Sequence, residues 1–114
     1  MQIERKDTNE IMSQAVVHGD TVYLAGQVSS ASSDVTGQTQ EVLAKIDSLL
    51  ERVGSQKTRV LSATIYLSDI STFGEMNEVW KKWVAAGATP ARATLEAKLV
   101  TPDYLVEIAV IAAL

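Results

Sequence analysis

Glu107 is the residue most out of place in this chain. It interrupts Tyr104 to Ala112, a segment otherwise β-branched and apolar on both faces, and a carboxylate there is costly to desolvate unless it is paired, hydrogen-bonded or protonated. Two reasons would keep it: a structural ion pair with an Arg or Lys on a neighbouring strand, or a carboxyl group held for proton transfer. Spacing does not choose between them. Arg92 is the second such residue. It follows Pro90-Ala91 at the entrance to an alternating segment and shares a face with Thr94. Its planar fork matches a carboxylate through two parallel hydrogen bonds, which suits an anchor for a small carboxylic acid; the plainer alternative is a solvated strand-end arginine.

Other chemistries lack raw material. Cysteine is absent and His18 is the one histidine, so thiolate nucleophiles, thiolate zinc sites and triads with a choice of bases are set aside, and a metal or thiol enzyme is not expected. His18 adjoins Gly19-Asp20 and reads as a surface turn residue. Ten basic against fourteen acidic residues leave a net charge of −4; that repels a polyanion and offers no Lys/Arg cluster, so nucleic acid is not expected as a partner. Lys81-Lys82 reads as a solvated pair, Trp80 and Trp83 as core. Ser29-Ser30-Ala31-Ser32-Ser33 has no glycine to cradle a phosphate, although a mobile lid stays open as a reading.

These residues need elements to hold them. A chain of 114 residues, 46% apolar, fits one domain over 1–114 with an ordinary core. Its longest apolar run, Ile108 to Leu114, is seven residues, against roughly 20 for a membrane-spanning helix. No secretory signal is visible at the charged N-terminus, so a cytoplasmic protein without membrane contact is expected.

Val42, Ile46, Leu49, Leu50 and Val53 recur at helical spacing, predicting a helix over Glu41 to Val53 with Gly54 as its left-handed cap. Phe73, Met76, Trp80, Trp83 and Val84 predict a second over Phe73 to Ala86, with Thr72 and Glu75 as a capping box and Gly87 as the stop. Strands are predicted at Gln2 to Lys6, Ser13 to His18, Thr21 to Val28, Thr58 to Ser68, Ala91 to Leu99 and Tyr104 to Ala112, with Gly19-Asp20 as a hairpin turn. In the fourth, Leu61, Ala63, Ile65 and Leu67 share a face. The order is β-β-β-α-β-α-β-β. Two helices of about 14 residues cover one face of such a sheet. With Val106, Ile108 and Val110 turned toward them, Leu105, Ala109 and Ile111 remain uncovered on the other, a patch that marks an interface and predicts a homo-oligomer.

Val22-Tyr23-Leu24-Ala25-Gly26-Gln27-Val28, then Ala63 to Asp69 leading into Phe73 and Met76-Asn77, and above all Pro90-Ala91-Arg92-Ala93-Thr94 followed by Val106-Glu107-Ile108, resemble the YjgF/RidA family over essentially the whole chain. The resemblance implies an α+β, chorismate-mutase-like fold, a mixed sheet with two helices on one face, assembled as a homotrimer around a central barrel. It implies hydrolysis of reactive 2-imino or enamine acids to 2-keto acids and ammonia, without a cofactor, in clefts between subunits. Arg92 falls on the arginine that holds the substrate carboxylate and Glu107 on the glutamate that helps activate water. Gly26 falls where backbone approaches the ligand, and Asn77 on an asparagine recurrent near the second helix. Three positions depart from the founding branch: Met12 stands for a pocket-closing tyrosine, Ala25 for a serine and Thr94 for a cysteine, which implies an altered substrate range or weaker catalysis. A non-catalytic module for 2-keto acids or other small carboxylates is the alternative, and RNA cleavage, attached to some members, is a third reading that the charge opposes.

Overall fold

The computed structural model describes residues 1–114. Its elements run β1 (Ile3–Thr8), β2 (Ser13–His18), β3 (Thr21–Leu24), α1 (Val35–Arg52), β4 (Val60–Leu67), α2 (Phe73–Trp83), β5 (Ala91–Glu96) and β6 (Val106–Ala113), with 3-10 turns at Lys57–Arg59 and Ile70–Thr72. This is the order the periodicities predict. The six strands form one mixed sheet, β1-β2-β3-β6-β4-β5, in which only the β4–β5 pair is parallel. Gly19-Asp20 makes the two-residue β2–β3 turn, with Gly19 at φ 63°, the positive value a primed hairpin turn takes at its first central residue.

Both helices lie on one face. Ala15, Val22, Ile65, Ile108 and Val110 of the sheet are buried with Ile46 and Leu50 of α1 and Met76 and Trp80 of α2 in one apolar cluster. Gly54, at φ 86°, ends α1 as predicted: Ser55 N–H donates to Leu50 C=O at 2.8 Å and Gly54 N–H to Glu51 C=O at 3.1 Å, the pair of bonds that closes a Schellman cap.

The start of α1 differs from the expectation by six residues, at Val35 where Glu41 was predicted. Asp34 caps it by accepting from Gly37 N–H at 2.7 Å, and its first turns are buried through Val35 and the polar side chains Gln38 and Thr39, of which one alone is apolar and sets no period. The second helix stops at Trp83 instead of Ala86. Thr72 forms no capping box; its hydroxyl donates back to Asp69 C=O at 2.6 Å.

In the strands, β3 ends at Leu24, β5 at Glu96, and β4 begins at Val60 after the Lys57–Arg59 turn. Leu61 leaves its predicted face. The β4–β6 register passes from Val60↔Ala112 to Ser62↔Ile111, so Leu61 is an extra residue on a bulge, 52% exposed, and Val60 is buried instead. On β5 the apolar side, Ala91, Ala93 and Leu95, faces away from the helices and is exposed, whereas Arg92 and Thr94 turn toward α2. That side joins the cross-strand row Val16, Tyr23 and Ile111 on the helix-free face, which remains partly open to solvent as the sequence predicts, with Tyr23 45% and Leu95 42% exposed.

Candidate functional site

Arg92 is not solvated at its strand end. Its Nη1–H donates to Asn77 Oδ1 at 2.7 Å, and its guanidinium carbon lies 5.5 Å from the centre of the Phe73 ring and 5.4 Å from that of Trp80. Phe73, Asn77 and Trp80, at i, i+4 and i+7, form one stripe of α2, and the arginine lies along it. Asn77 and two aromatic faces thus fix the plane of a fork whose remaining N–H donors are free for an acid. Thr94, two residues on, has a buried Oγ1 without a hydrogen-bond partner. Because β5 is an edge strand, this pair stands at the rim of the sheet.

Glu107 lies on the other face. It is half-buried, between residues of β6 that face the helices. The structural ion pair considered for it is not made within the chain, whose two ion pairs are Arg52–Asp7 and Lys81–Glu78. Its surroundings come from an irregularity in β3. Pairing passes from Tyr23↔Ile111 to Gln27↔Ile108, so Leu24-Ala25-Gly26 oppose only Ala109-Val110, and the chain bows out at Gly26. The Glu107 carboxyl fills the place a side chain would take: a Cβ on Gly26 would sit 2.9 Å from Glu107 Cδ. A slot of about 470 Å³ opens beside them, walled by Met12, Gln14, Gln27, Val28, Lys45, Val100 and Tyr104. Gln27 is fixed by donating through Nε2 to Gln14 Oε1 at 2.9 Å and to Ala25 C=O at 3.0 Å.

The predicted residues therefore fall into two groups. Met12, Gly26 and Glu107 meet at the slot, with Ala25 adjoining; Arg92, Thr94 and Asn77 meet at β5 and α2. Arg92 sits opposite Ala63 on β4 and Glu107 opposite Tyr66. Three residues of strand and two strand spacings separate them, each about 10 Å, and they point to opposite faces. One small acid cannot touch both in a single chain.

Comparison with known proteins agrees over the full length. Residues 4–114 match the family described as Endoribonuclease L-PSP. The chain is 42% identical over 113 residues to the RutC family protein YoaB of Escherichia coli (strain K12), covering 99% of each. The crystal structure of NMB1025, a YjgF family member from Neisseria meningitidis, superposes with a TM-score of 0.98 at 44% identity, over 99% of this chain and 95% of that one. The chain belongs to the YjgF/RidA family. A putative translation initiation inhibitor from Salmonella typhimurium is also similar, with a TM-score of 0.89, 41% identity and coverage of 98% and 97%. The names of these relatives point in several directions, so the chemistry of this YjgF/RidA protein is argued from its own residues.

Two partners of the predicted residues escaped the sequence. Phe73 and Trp80 read as core stripe, yet they also carry Arg92; the asparagine between them at i+4 was the available signal. Gln38, 1% exposed, ties loop to loop: Nε2 donates to Ser32 C=O at 3.0 Å and to Asp103 C=O at 2.8 Å, while Oε1 accepts from Leu105 N–H at 2.8 Å. It thereby braces the segment that supplies Tyr104 to the slot. Glu41 holds the serine-rich connection through Ser29 Oγ at 2.8 Å and Ser32 Oγ at 2.7 Å, so that connection is an anchored wall and not a free lid. Those hydroxyls, Ser32 first, keep the Glu41 carboxyl below its ordinary value. His18 is exposed beside its turn, as expected.

Proposed function

We propose that this protein hydrolyses small 2-imino acids, and their enamine tautomers, to 2-keto acids and ammonia in a cleft where Arg92 of one copy meets the Glu107 slot of another. The observation that carries the reading is the division of the site: a rigid, unsaturated arginine fork beside an unpartnered threonine hydroxyl at a sheet edge, and an unpaired carboxyl in a slot on the opposite face. The exposed apolar helix-free face supports an assembly that joins them, and the family resemblance supplies a homotrimer as its form.

In this cleft the Arg92 fork holds the substrate carboxylate and fixes C2 against Glu107. The imine enters protonated at nitrogen, and the Glu107 carboxylate takes a proton from water as the water oxygen bonds to C2 and the C=N electron pair moves to nitrogen, which gives a neutral carbinolamine. Glu107 returns that proton to nitrogen; as the C–N bond breaks, the hydroxyl oxygen gives its proton to the Glu107 carboxylate and on to solvent, C=O forms and ammonia leaves. Imine and water are consumed; keto acid and ammonia are produced. Positioning with one acid–base group supplies about 10²–10⁴-fold, which suits a reaction that already proceeds in water. Met12, Ala25 and Thr94 shape the substrate range, and Gly26 keeps backbone close to the ligand. RNA cleavage is opposed by the net charge of −4 and by a single histidine on an exposed turn.

The test generates 2-iminobutanoate in situ with an amino-acid oxidase and traps it with semicarbazide. The protein is expected to lower semicarbazone formation while 2-ketobutyrate and ammonia still accumulate. Unchanged trapping at high protein concentration, with 2-ketobutyrate nevertheless bound, would leave a carboxylate-binding module instead.

A further inference from the structure

The Glu107 slot does not end at Glu107. A second groove of about 280 Å³ along α1 adjoins it, sharing Gln14, Gln27 and Lys45; the other charged residues there, Asp7 and Arg52, are paired with each other. Together they are roomier than a three- or four-carbon acid requires. Lys45 Nζ donates to Val28 C=O at 2.7 Å, which uses one of three ammonium donors. Neither ion pair of the chain includes it. Its i−4 neighbour on the helix, Glu41, accepts from Ser29 Oγ, Ser32 Oγ and Ser32 N–H; it feels the Lys45 charge but makes no ion pair with it. The slot thus carries one carboxylate and, held at Val28 C=O two residues on from Gly26, one cation with free donors.

Resting on the imine-hydrolase reading, in which Arg92 of another copy takes the α-carboxylate and Glu107 faces C2, we propose that Lys45 forms a second anion subsite. It receives the side-chain carboxylate of a dicarboxylic 2-imino acid, the product class of two-electron oxidation of an acidic amino acid at its Cα–N bond. Gln14 and Gln27 amides line the path between the two carboxylates. A monocarboxylic imine fills only the Glu107 end, so Lys45 sets preference without entering the reaction.

Because Lys45 is exposed, its substitution leaves the fold intact, and Lys45→Met keeps the aliphatic stem without the charge. Calorimetry of the assembled protein compares 2-ketoglutarate and oxaloacetate with 2-ketobutyrate. We expect at least one dicarboxylate to bind about 10-fold more tightly than 2-ketobutyrate. Lys45→Met should reduce that ratio to within about 2-fold, the loss falling mainly on the dicarboxylate, and Lys45→Arg should retain most of it. The same ratios should appear in kcat/KM for the corresponding imines. Binding of 2-ketobutyrate with no dicarboxylate preference, or a preference that survives Lys45→Met, overturns the subsite and leaves the imine-hydrolase reading standing. Failure of all three acids to bind overturns both.

Discussion

Glu107→Gln separates the two roles a carboxyl can have in this slot. Because Glu107 makes no ion pair within the chain and the amide keeps its shape and hydrogen-bonding capacity, melting should hardly move while imine turnover falls by about 10²-fold or more. Were Glu107 instead the partner of a cation across a subunit contact, the change would destabilise by about 3–5 kcal/mol and activity would track the unfolded fraction; melting and turnover on one preparation decide it. Gly26→Ala is the complementary probe. Gly26 is not in the left-handed region, so alanine is compatible with its backbone and stabilises the chain by about 0.4–1 kcal/mol through the unfolded state. Its Cβ would nevertheless displace the Glu107 carboxyl, the flexible end of a side chain. The expected result is a protein that melts no lower than the parent yet turns over imine at a rate near that of Glu107→Gln.

At the scale of elements, Glu41 ties α1 to the serine-rich connection that precedes it, and its chemistry sets a pH window. The Ser32 hydroxyl, then that of Ser29, holds its carboxyl below 4.5 in the folded chain. A carboxyl depressed on folding stabilises above its unfolded pKa, and that contribution is lost as pH falls through the lower folded value. Urea midpoints should therefore fall below about pH 4.5, and less steeply in Glu41→Gln than in the parent; parallel slopes would assign the acid sensitivity to other carboxyls. None of this anchoring was legible beforehand. Apolar period exposes a helix only where the buried stripe is apolar, and the first turns of α1 are buried through Val35 with the polar Gln38 and Thr39. Leu61 was misplaced because a bulge breaks strand parity, which alternation cannot register. The element order was legible because the remaining stripes and alternations are clean. Glu107 and Arg92 were legible because each is charged within an apolar or alternating segment, but Lys45, one charged residue on an exposed helix face, gains meaning only from the slot it meets.

For the whole molecule, the decisive fact is that Arg92 and Glu107 lie on opposite faces and about two strand spacings apart. The open helix-free face predicts association, and with the trimer drawn from the family, light scattering should give a mass near three times 12.3 kDa. Mass alone does not tell whether copies share a site, but mixed assemblies do. Arg92→Ala and Glu107→Gln chains should each be nearly inactive by themselves. Dissociated together in equal amounts and reassembled, they place an intact Arg92 from the second variant against an intact Glu107 from the first at about one interface in four, in any cyclic arrangement of randomly drawn chains. Turnover should then recover to about a quarter of the parent's. If both residues served one chain's own site, the mixture would stay as inactive as its parts, because neither variant carries both. Recovery also scales predictably: raising the Arg92→Ala share away from one half lowers it, since each restored site needs one chain of each kind. That dependence separates a shared site from contamination by parent protein.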